Sequence, residues 1–471
     1  MLGKVFKAYD IRGTHPDPLN ERMAWQIGYG VSSHLLGKAA ADGETTPMMK
    51  HIVVGRDMRK SSPALVAKLI EGITDQGGNV IDVGLVDTPF IYFAINHLDC
   101  VGGVQTTASH NPPQYNGFKV SGRRGAPIGE STGLAEVRKL AATAEEAQRS
   151  NTSPKGRVEQ RDLWEAYTGH VRSFLDLNGR TMKVVVDASN GMAGTMVPRV
   201  FGEGGANVQG LEIVEINFDN RKGEFVHEAN PLLPSALAQT REAVVAEGAD
   251  LGLCFDGDAD RIVVVDEKGE AVGCDHLTAW LAKWFLKDNP GAAVVYDLRS
   301  SKALEEDVLK AGGAPIKSRV GHVFIKQILK ERKGVFGGEL SGHFYFRDNY
   351  FADSGAIAMA TVLTALAHAK GTMSEQIKPV ARYAQSGEIN FHVEDKDGAL
   401  ADVRKAFGAD GEIDELDGVT VDCFRTKGWW CNVRKSNTEP LLRLNLEARD
   451  RKTLDEMLVR IAPMLGERAE E

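Results

Sequence analysis

Short runs of Val and Ile recur along the chain at helix-length intervals, and three of those intervals share one plan. "HIVVGRD" (51–57) leads through a helix-like segment, Ser62 to Gln76, into "GGNVIDVG" (77–84). "KVVVDAS" (183–189) leads in the same way to "GGANV" (204–208), and "AVVYDLR" (293–299) to "GGAPI" (312–316). Each time an apolar run reaches an Asp, a helical length comes next, and a Gly-Gly pair opens the next run. Such runs predict β-α-β units with mostly parallel sheets. Gly-Gly is also an ordinary helix stop, but three in one frame predict repeated domains of one architecture. Loops at the ends of such strands gather at one sheet edge, where ligands bind.

The pattern changes after Arg382. "GEINFHVED", "GVTVDCFR", "GWWCNVRKS" and "LLRLNLEA" read as strands, with helical segments at 398–407 and 452–465. That combination predicts an α+β domain with an antiparallel sheet. A linker is expected within 376–387, and the polar stretch 143–157 and the "DEKGE" turn at 266–270 mark further boundaries. The expected fold is therefore α/β in four domains: 1–150, 151–268, 269–380 and 381–471. The first three are mixed α/β with mostly parallel sheets and the last is antiparallel. A chain of 471 residues is too long for one core and suits such a division.

Composition narrows the function. With 42% apolar and 26% charged residues the chain is ordinary globular protein. A net charge of -9 argues against a nucleic-acid partner and means that an anionic ligand needs local positive clusters. The five cysteines are scattered with no Cys-x-x-Cys pair, which fits buried thiols in a reducing compartment better than a disulfide frame or a zinc site. "MLGKVFKAYDIRG" places charges where a signal peptide needs an apolar core. The longest uncharged stretch, Ser354 to Ala369, is too short and too polar to span a bilayer. The expectation is a cytoplasmic protein without a membrane partner, monomeric or weakly dimeric.

Four stretches carry candidate chemistry. In "VQTTASHNPPQYNGFK" (104–119), Ser109 precedes His110 and Asn111, Pro112 and Pro113 stiffen the chain beyond them, and Lys119 closes the stretch. A capped turn explains these residues; so does a serine held rigidly at a strand end, where its oxygen can react. The Gly-x-Ser-x-Gly elbow of hydrolases is absent, which favours a phosphoryl over an acyl partner. In "LGLCFDGDADRIVVVD" (251–266), Asp256, Asp258 and Asp260 alternate along a loop between apolar strands, with Arg261 next. Such carboxylates repel one another unless a hard cation or an arginine compensates. An EF-hand fails here, because its sixth position needs Gly and holds Arg261. In "GVFGGELSGHFYFRD" (334–348), Glu339, Ser341 and His343 alternate after a Gly-Gly hinge, suiting sugar hydroxyls or an ordinary hairpin. In "NVRKSNTEPLLRLNLE" (432–447), Arg434, Ser436, Asn437 and Thr438 cluster donors before Pro440, as a phosphate nest or an ST-turn would. One stretch falls in each expected domain, which implies a central cleft between domains and a phosphorylated polyhydroxy substrate.

In this order, the motifs resemble those of the α-D-phosphohexomutase family over essentially the whole chain, and within it the bacterial phosphomannomutase and phosphoglucomutase members. "TASHNP" (107–112) is similar to the family's phosphoserine loop, "DGDADR" (256–261) to its metal loop, "GELSGH" (338–343) to its sugar-specificity loop and "RKSNTEP" (434–440) to its phosphate loop. "KAYDIRG" (7–13) resembles the family's opening and implies that Tyr9 and Arg12 reach the cleft, as does His322. The resemblance implies that Ser109 carries a phosphoryl group, with Mg2+ held by Asp256, Asp258, Asp260 and a phosphate oxygen of that serine. Phosphate would pass to the free hydroxyl of a 1- or 6-phosphohexose, and the resulting bisphosphate would turn over and return its other phosphate. Lys119 is the expected proton-transfer partner, with Arg12, Arg261 and His343 in support. Glu339, Ser341, Arg434, Ser436, Asn437 and Thr438 would bind substrate.

Two positions depart from the family pattern. Arg299, expected to bind substrate, stands where a lysine is frequent, and Ala259 where many members have Gly. Mannose 1- and 6-phosphates are the expected substrates, with phosphoglucomutase or phosphoglucosamine mutase activity as the alternative. The latter ranks lower because Ser-Gly-Thr is usual there where Ser436, Asn437 and Thr438 stand. A non-catalytic phosphosugar binder would not need Ser109, the Asp trio and Lys119 together. A Mg2+-dependent phosphatase would need water at the phosphoserine, which a closing fourth domain would exclude.

Overall fold

The apolar runs become strands covered on both faces; in His51–Arg56 the four central residues are buried, and in Ala293–Asp297 all five are. The computed structural model describes residues 2–436 and 441–469. The chain divides into two compact units, Met1–Gly273 with Ser341–Ser374, and Cys274–Leu340 with Glu375–Glu471. Three sheets are built around parallel strands and a fourth is antiparallel.

The first unit holds two of the parallel-cored sheets. In the first, His51–Arg56 lies between parallel neighbours Asn79–Leu85 and Gly102–Thr106, and Tyr115–Gly122 and Ile11–Thr14 continue antiparallel. Val158–Gln160 adds a parallel edge beside Asn79–Leu85, so the chain stays with this sheet beyond residue 150. In the second, Met182–Asp187 pairs in parallel with Leu211–Ile216 and Leu251–Phe255. Ile262–Asp266 and Ala271–Val272 then add antiparallel, so the "DEKGE" turn lies within one sheet. The second Gly-Gly pair does not open a strand directly. Gly202, Gly204 and Gly205 all take positive φ around a short 3-10 turn, and the strand starts only at Leu211. The uncharged stretch after Ser354 is the helix Gly355–Ala367, buried along its whole length and capped by Ser354. Among the described residues no helix is long and apolar enough to cross a membrane.

In the second unit, Ala293–Asp297 lies between parallel strands Ala314–Ser318 and Phe336–Gly338. The antiparallel sheet runs in the order Glu412–Asp414, Val419–Asp422, Trp429–Lys435, Leu442–Ala448, Ala384–His392, Glu467–Arg468. Helices Lys396–Phe407 and Arg451–Ile461 cover it through Val403, Phe407, Leu454 and Ile461.

Helix packing beside the first sheet depends on backbone contact. Helices Glu21–Ala41 and Ser62–Gln76 cross where each presents a glycine. A Cβ on Gly28 would stand 2.1 Å from the Leu69 carbonyl oxygen, and one on Gly72 2.0 Å from that of Trp25. Alanine favours a helix over glycine by about 1 kcal/mol, while overpacking against backbone costs roughly 1–3 kcal/mol. Gly72→Ala is therefore expected to lower stability, by up to roughly 2 kcal/mol in urea denaturation. Gly169, exposed in helix Trp164–Arg172 with open space at its Cβ, gives the opposite sign as alanine.

Candidate active site

Ser109 comes after the strand Gly102–Thr106, in a loop whose backbone is tightly held. Its φ of 51° is left-handed, and its own N–H donates to Thr107 Oγ1 at 3.0 Å. The guanidinium of Arg59, itself buried, donates to the carbonyl oxygens of Ser109 at 2.8 Å, Asn111 at 2.6 Å, Pro112 at 2.8 Å and Tyr115 at 3.1 Å. Arg59 is held in turn by Asp57 at 3.0 Å. The loop thus keeps its shape through four carbonyls on one cation, which leaves the Ser109 side chain out of the bracing. Its Oγ donates to Asp256 Oδ2 at 3.0 Å and lies 3.3 Å from His110 Nδ1.

Asp256, Asp258 and Asp260 lie between Leu251–Phe255 and Ile262–Asp266, all buried. One oxygen from each lies within 4.8 Å of the others. Gly257 permits the approach of the serine loop, since a Cβ there would stand 2.4 Å from the Ser109 carbonyl oxygen. Lys119, on the strand Tyr115–Gly122, donates to Asp258 Oδ2 at 2.7 Å and Asp260 Oδ2 at 2.6 Å. Burial opposes its charge, but Asp258, Asp260 and Asp256 together hold the ammonium well above its ordinary pKa. A lysine so held can neutralise charge or give a proton, but it is no base. Arg261 Nε donates to His343 Nε2 at 3.3 Å, and His343 Nδ1 lies 2.8 Å from Ser341 Oγ. Burial and repulsion from Asp260 and Asp258 push Asp256 well up. Asp260 falls well below the carboxylate range, because Lys119, His343 and Arg261 outweigh its burial. Burial and the nearby Arg261, Arg12 and Lys119 push His110 well down, so its imidazole is neutral. Asp258 Oδ1 is buried with no hydrogen-bond partner among the described residues. An all-oxygen donor set with a spare buried carboxylate oxygen fits a hard divalent cation.

Arg12 lies on the edge strand of the first sheet, bonded to Asp10 and Asn111, and Tyr9 is half-buried beside it in sequence. In the second unit, Arg299 grips Asp297 with two hydrogen bonds, at 3.0 and 2.9 Å, donates to Glu388 at 3.2 Å, and lies 3.8 Å from Glu339. Arg434 and Arg443 stand directly opposite in the antiparallel ladder and share Glu388, at 3.0 and 2.9 Å. Like charges so placed repel, and Glu388 compensates them; despite burial its carboxyl is held below the ordinary range by Arg299, Arg434 and Arg443. Arg434 Nε is buried without a hydrogen-bond partner among the described residues. Ser436 donates its N–H to Leu441 O at 2.9 Å, and Asn437 and Thr438 lie outside the described residues. His322 begins the helix His322–Glu331 and is half-buried.

The structure therefore brings Ser109, Lys119, Asp256, Asp258, Asp260, Arg261, Ser341 and His343 together in the first unit, and Arg299, Glu339 and Arg434 in the second. Sequence reasoning missed Arg59 and Glu388. An arginine two residues beyond the Asp that follows an apolar run was the only sign of the former, and nothing in its strand singled out Glu388. Thr88 was missed as well: its N–H and Oγ1 donate to the Asp258 carbonyl and carboxylate, and it starts the helix Thr88–His97.

Four family models match the chain in order, described as phosphoglucomutase/phosphomannomutase alpha/beta/alpha domain I over residues 3–148, domain II over 165–269, domain III over 274–383 and the C-terminal domain over 388–464. A phosphomannomutase of Salmonella typhimurium is 37% identical over 448 residues, covering 94% of both chains. Phosphohexose mutases of Xanthomonas campestris pv. campestris are 37% identical over 450 residues, covering 94% of this chain and 95% of theirs. The crystal structure of a phosphoglucomutase/phosphomannomutase family protein from Burkholderia thailandensis superposes with a TM-score of 0.85 at 31% identity, covering 98% of this chain and 96% of that one.

Next to Thr88, Asp87 is buried, with Tyr167 donating to Oδ2 at 2.7 Å and Oδ1 unpartnered among the described residues. Burial pushes its carboxyl from 3.8 up to about 7. The native state then holds a proton that the unfolded chain releases, so stability is lost as pH rises from about 4 through about 7. Asp87→Asn removes this dependence. In metal-free protein, the stability of the variant relative to wild type is expected to grow between pH 5 and pH 8, by at most about 1.4 kcal/mol per pH unit. A difference that stays flat across that range would mean that Asp87 ionises normally.

Proposed function

The chain belongs to the phosphoglucomutase/phosphomannomutase family and is a phosphohexomutase, and from that premise we propose that it interconverts mannose 1-phosphate and mannose 6-phosphate through a phosphoserine at Ser109 and a hexose 1,6-bisphosphate. The observation that carries the reading is Ser109 Oγ, 3.0 Å from Asp256 on a loop locked by Arg59. A group that must repeatedly give and accept phosphate from the same place needs that fixity. The phosphomannomutase names of relatives at 37% identity support mannose as the sugar.

In the first half-reaction the bond from Ser109 Oγ to phosphorus breaks as the free sugar hydroxyl bonds to phosphorus and loses its proton. The released serine oxygen takes up a proton. In the second half, Ser109 Oγ bonds to the other phosphate of the bisphosphate, and the sugar oxygen it leaves is protonated. Asp256, Asp258 and Asp260 would hold Mg2+ with a phosphate oxygen on Ser109, and the ion when bound supplies charge neutralisation at the transferring phosphoryl. Lys119 and Arg261 add fixed positive charge at the same place. Lys119 can protonate a leaving oxygen, and neutral His110 beside Ser109 Oγ has a ring nitrogen that can accept. Arg12 and Tyr9 assist from the first sheet. Glu339, Ser341, His343 and His322 read sugar hydroxyls, and Arg299 positions Glu339. Arg434 and Ser436, with Asn437 and Thr438, take the phosphate that is not reacting.

Ser109→Ala is expected to remove essentially all turnover of hexose phosphate with the fold intact, because the residue both carries the transferred group and lies in a loop. Intact-mass measurement of the wild type should show one phosphate, mapped to Ser109, and chelator should silence its activity. Full activity in the alanine variant, with phosphate elsewhere, would sink the mechanism.

Arg434→Ala tests the distal phosphate site. A charge-assisted bond to phosphate is worth roughly 1.5–3 kcal/mol, so KM for mannose 1-phosphate should rise roughly tenfold or more, with some loss of kcat. Phosphorylation of Ser109 should persist. Unchanged kinetics on both mannose and glucose phosphates would leave Arg434 a structural strand residue.

A further inference from the structure

A second cluster of metal-binding side chains lies in the second sheet and shares no residue with the carboxylate trio. Asp187 ends the strand Met182–Asp187, and Cys254 is its register partner on the adjacent parallel strand Leu251–Phe255. His227 reaches them from the connection that precedes helix Pro234–Glu247. One carboxylate oxygen, one imidazole nitrogen and the thiol sulfur lie within 4.8 Å of one another. We propose that Asp187, His227 and Cys254 form a site for a borderline-soft divalent cation, which the mixed O, N and S donors identify as Zn2+.

The hydrogen bonds around the cluster orient each donor inward. His227 Nδ1 lies 2.8 Å from the carbonyl oxygen of Glu228, which can only accept, so Nδ1 carries the ring proton. Nε2 then faces Asp187 Oδ2 at 3.2 Å. A neutral ring would set a lone pair against a carboxylate, so either a second proton or a cation must stand between them. A backbone carbonyl on one ring nitrogen is the usual way in which a ligating histidine is fixed. Asp187 is fixed too: Oδ1 accepts from Ser189 N at 2.8 Å and Asn217 Nδ2 at 3.0 Å, and Oδ2 from Thr240 Oγ1 at 3.2 Å. Cys254 Sγ makes long contacts, with Ser189 Oγ at 3.8 Å and the Ala236 and Phe255 carbonyls at 3.9 Å, and the Thr240 side chain also bonds to it. It is a buried thiol.

Zinc bonds of about 2.0–2.3 Å place neighbouring donors roughly 3.5 Å apart, so small side-chain rotations close the cluster on an ion. Binding replaces the thiol proton, which leaves to solvent, and makes Cys254 a thiolate ligand. Soft sulfur and imidazole favour Zn2+ here, while the all-oxygen trio favours Mg2+, so the two sites sort two ions by chemistry. The absence of a Cys-x-x-Cys pair hid this cluster in the sequence, because its three donors come from distant segments that only the sheet brings together. A bound ion would tie the connection that carries His227 to the strand that leads into the Asp256 loop.

The test is a Co2+ titration of the full chain in excess Mg2+, which keeps the oxygen site filled, and then back-titration with Zn2+. One Co2+ per chain should give a thiolate-to-metal charge-transfer band that Zn2+ removes. Cys254→Ala should abolish the band, and Cys254→Ala and His227→Ala should each weaken Zn2+ binding by at least about tenfold. Both variants should keep mutase activity, which reports that they are folded. A titration without the band, or a band that survives Cys254→Ala, would overturn the site. So would nitrogen-15 NMR showing His227 protonated on both ring nitrogens at neutral pH with no Zn2+ taken up, since the cluster would then be only an ion pair.

Discussion

Mutual repulsion among Asp256, Asp258 and Asp260 is the constraint around which the first unit is organised. Three carboxylates removed from water within one short loop cannot all stay ionised unless positive charge comes to them. The fold supplies it in Lys119, from a strand of the other sheet, and in Arg261, from the end of the same loop. His343, from the segment that returns to this unit after the excursion into the second, places Nε2 3.3 Å from Asp260 Oδ1. Even so the supply is uneven. Lys119 and His343 favour Asp260, and Asp256, left with burial and two like neighbours, is pushed the other way. The residue most in need of a cation is the one that accepts from Ser109 Oγ.

The second unit poses the complementary problem. Arg434 and Arg443 face each other across a ladder, Arg299 approaches the same point, and one carboxylate, Glu388, serves all three. Glu388 can do so because its strand slips register between Gln385 and Glu388 where Gly387 takes a φ of 70°, which re-aims the side chain. A bulge next to convergent arginines marks a place where a rule of regular pairing gives way to charge placement. A phosphate dianion placed there would compete with Glu388 for the same guanidinium donors.

Local patterns were the legible part of the sequence. Val-rich runs predicted the central strands, the segment from Ser62 predicted its helix, and the alternating aspartates marked the loop they occupy. The hidden part depends on chain separation. Arg59 reaches the Ser109 carbonyl across 50 residues, Thr88 meets Asp258 across 170, and Glu388 reaches Arg434 across 46, and no spacing rule links such pairs. The Gly-Gly rule failed at 204–205 for a local reason of its own. Successive left-handed glycines turned the chain before a strand could begin. Lys119 was read with Ser109 as a proton-transfer partner, and its place against the trio emerged only from having two carboxylates within hydrogen-bond distance.

The loops of Ser109 and Asp256 also carry strain that the rest of the unit must hold. Ser109 and Ala259 both sit in left-handed backbone, at φ of 51° and 59°, where a side chain costs of order 1–2 kcal/mol. For Ala259 the cost arises directly from an alanine standing where glycine would relax, and burial on all sides gives it no room to unwind. For Ser109 the cost is offset by Arg59, since a cation that donates to four carbonyl oxygens loses several charge-assisted bonds if the loop relaxes. The strained turn is thereby the lower-energy state of the whole assembly. A serine fixed in that way keeps its oxygen on Asp256, so the loop needs little reorganisation to present it.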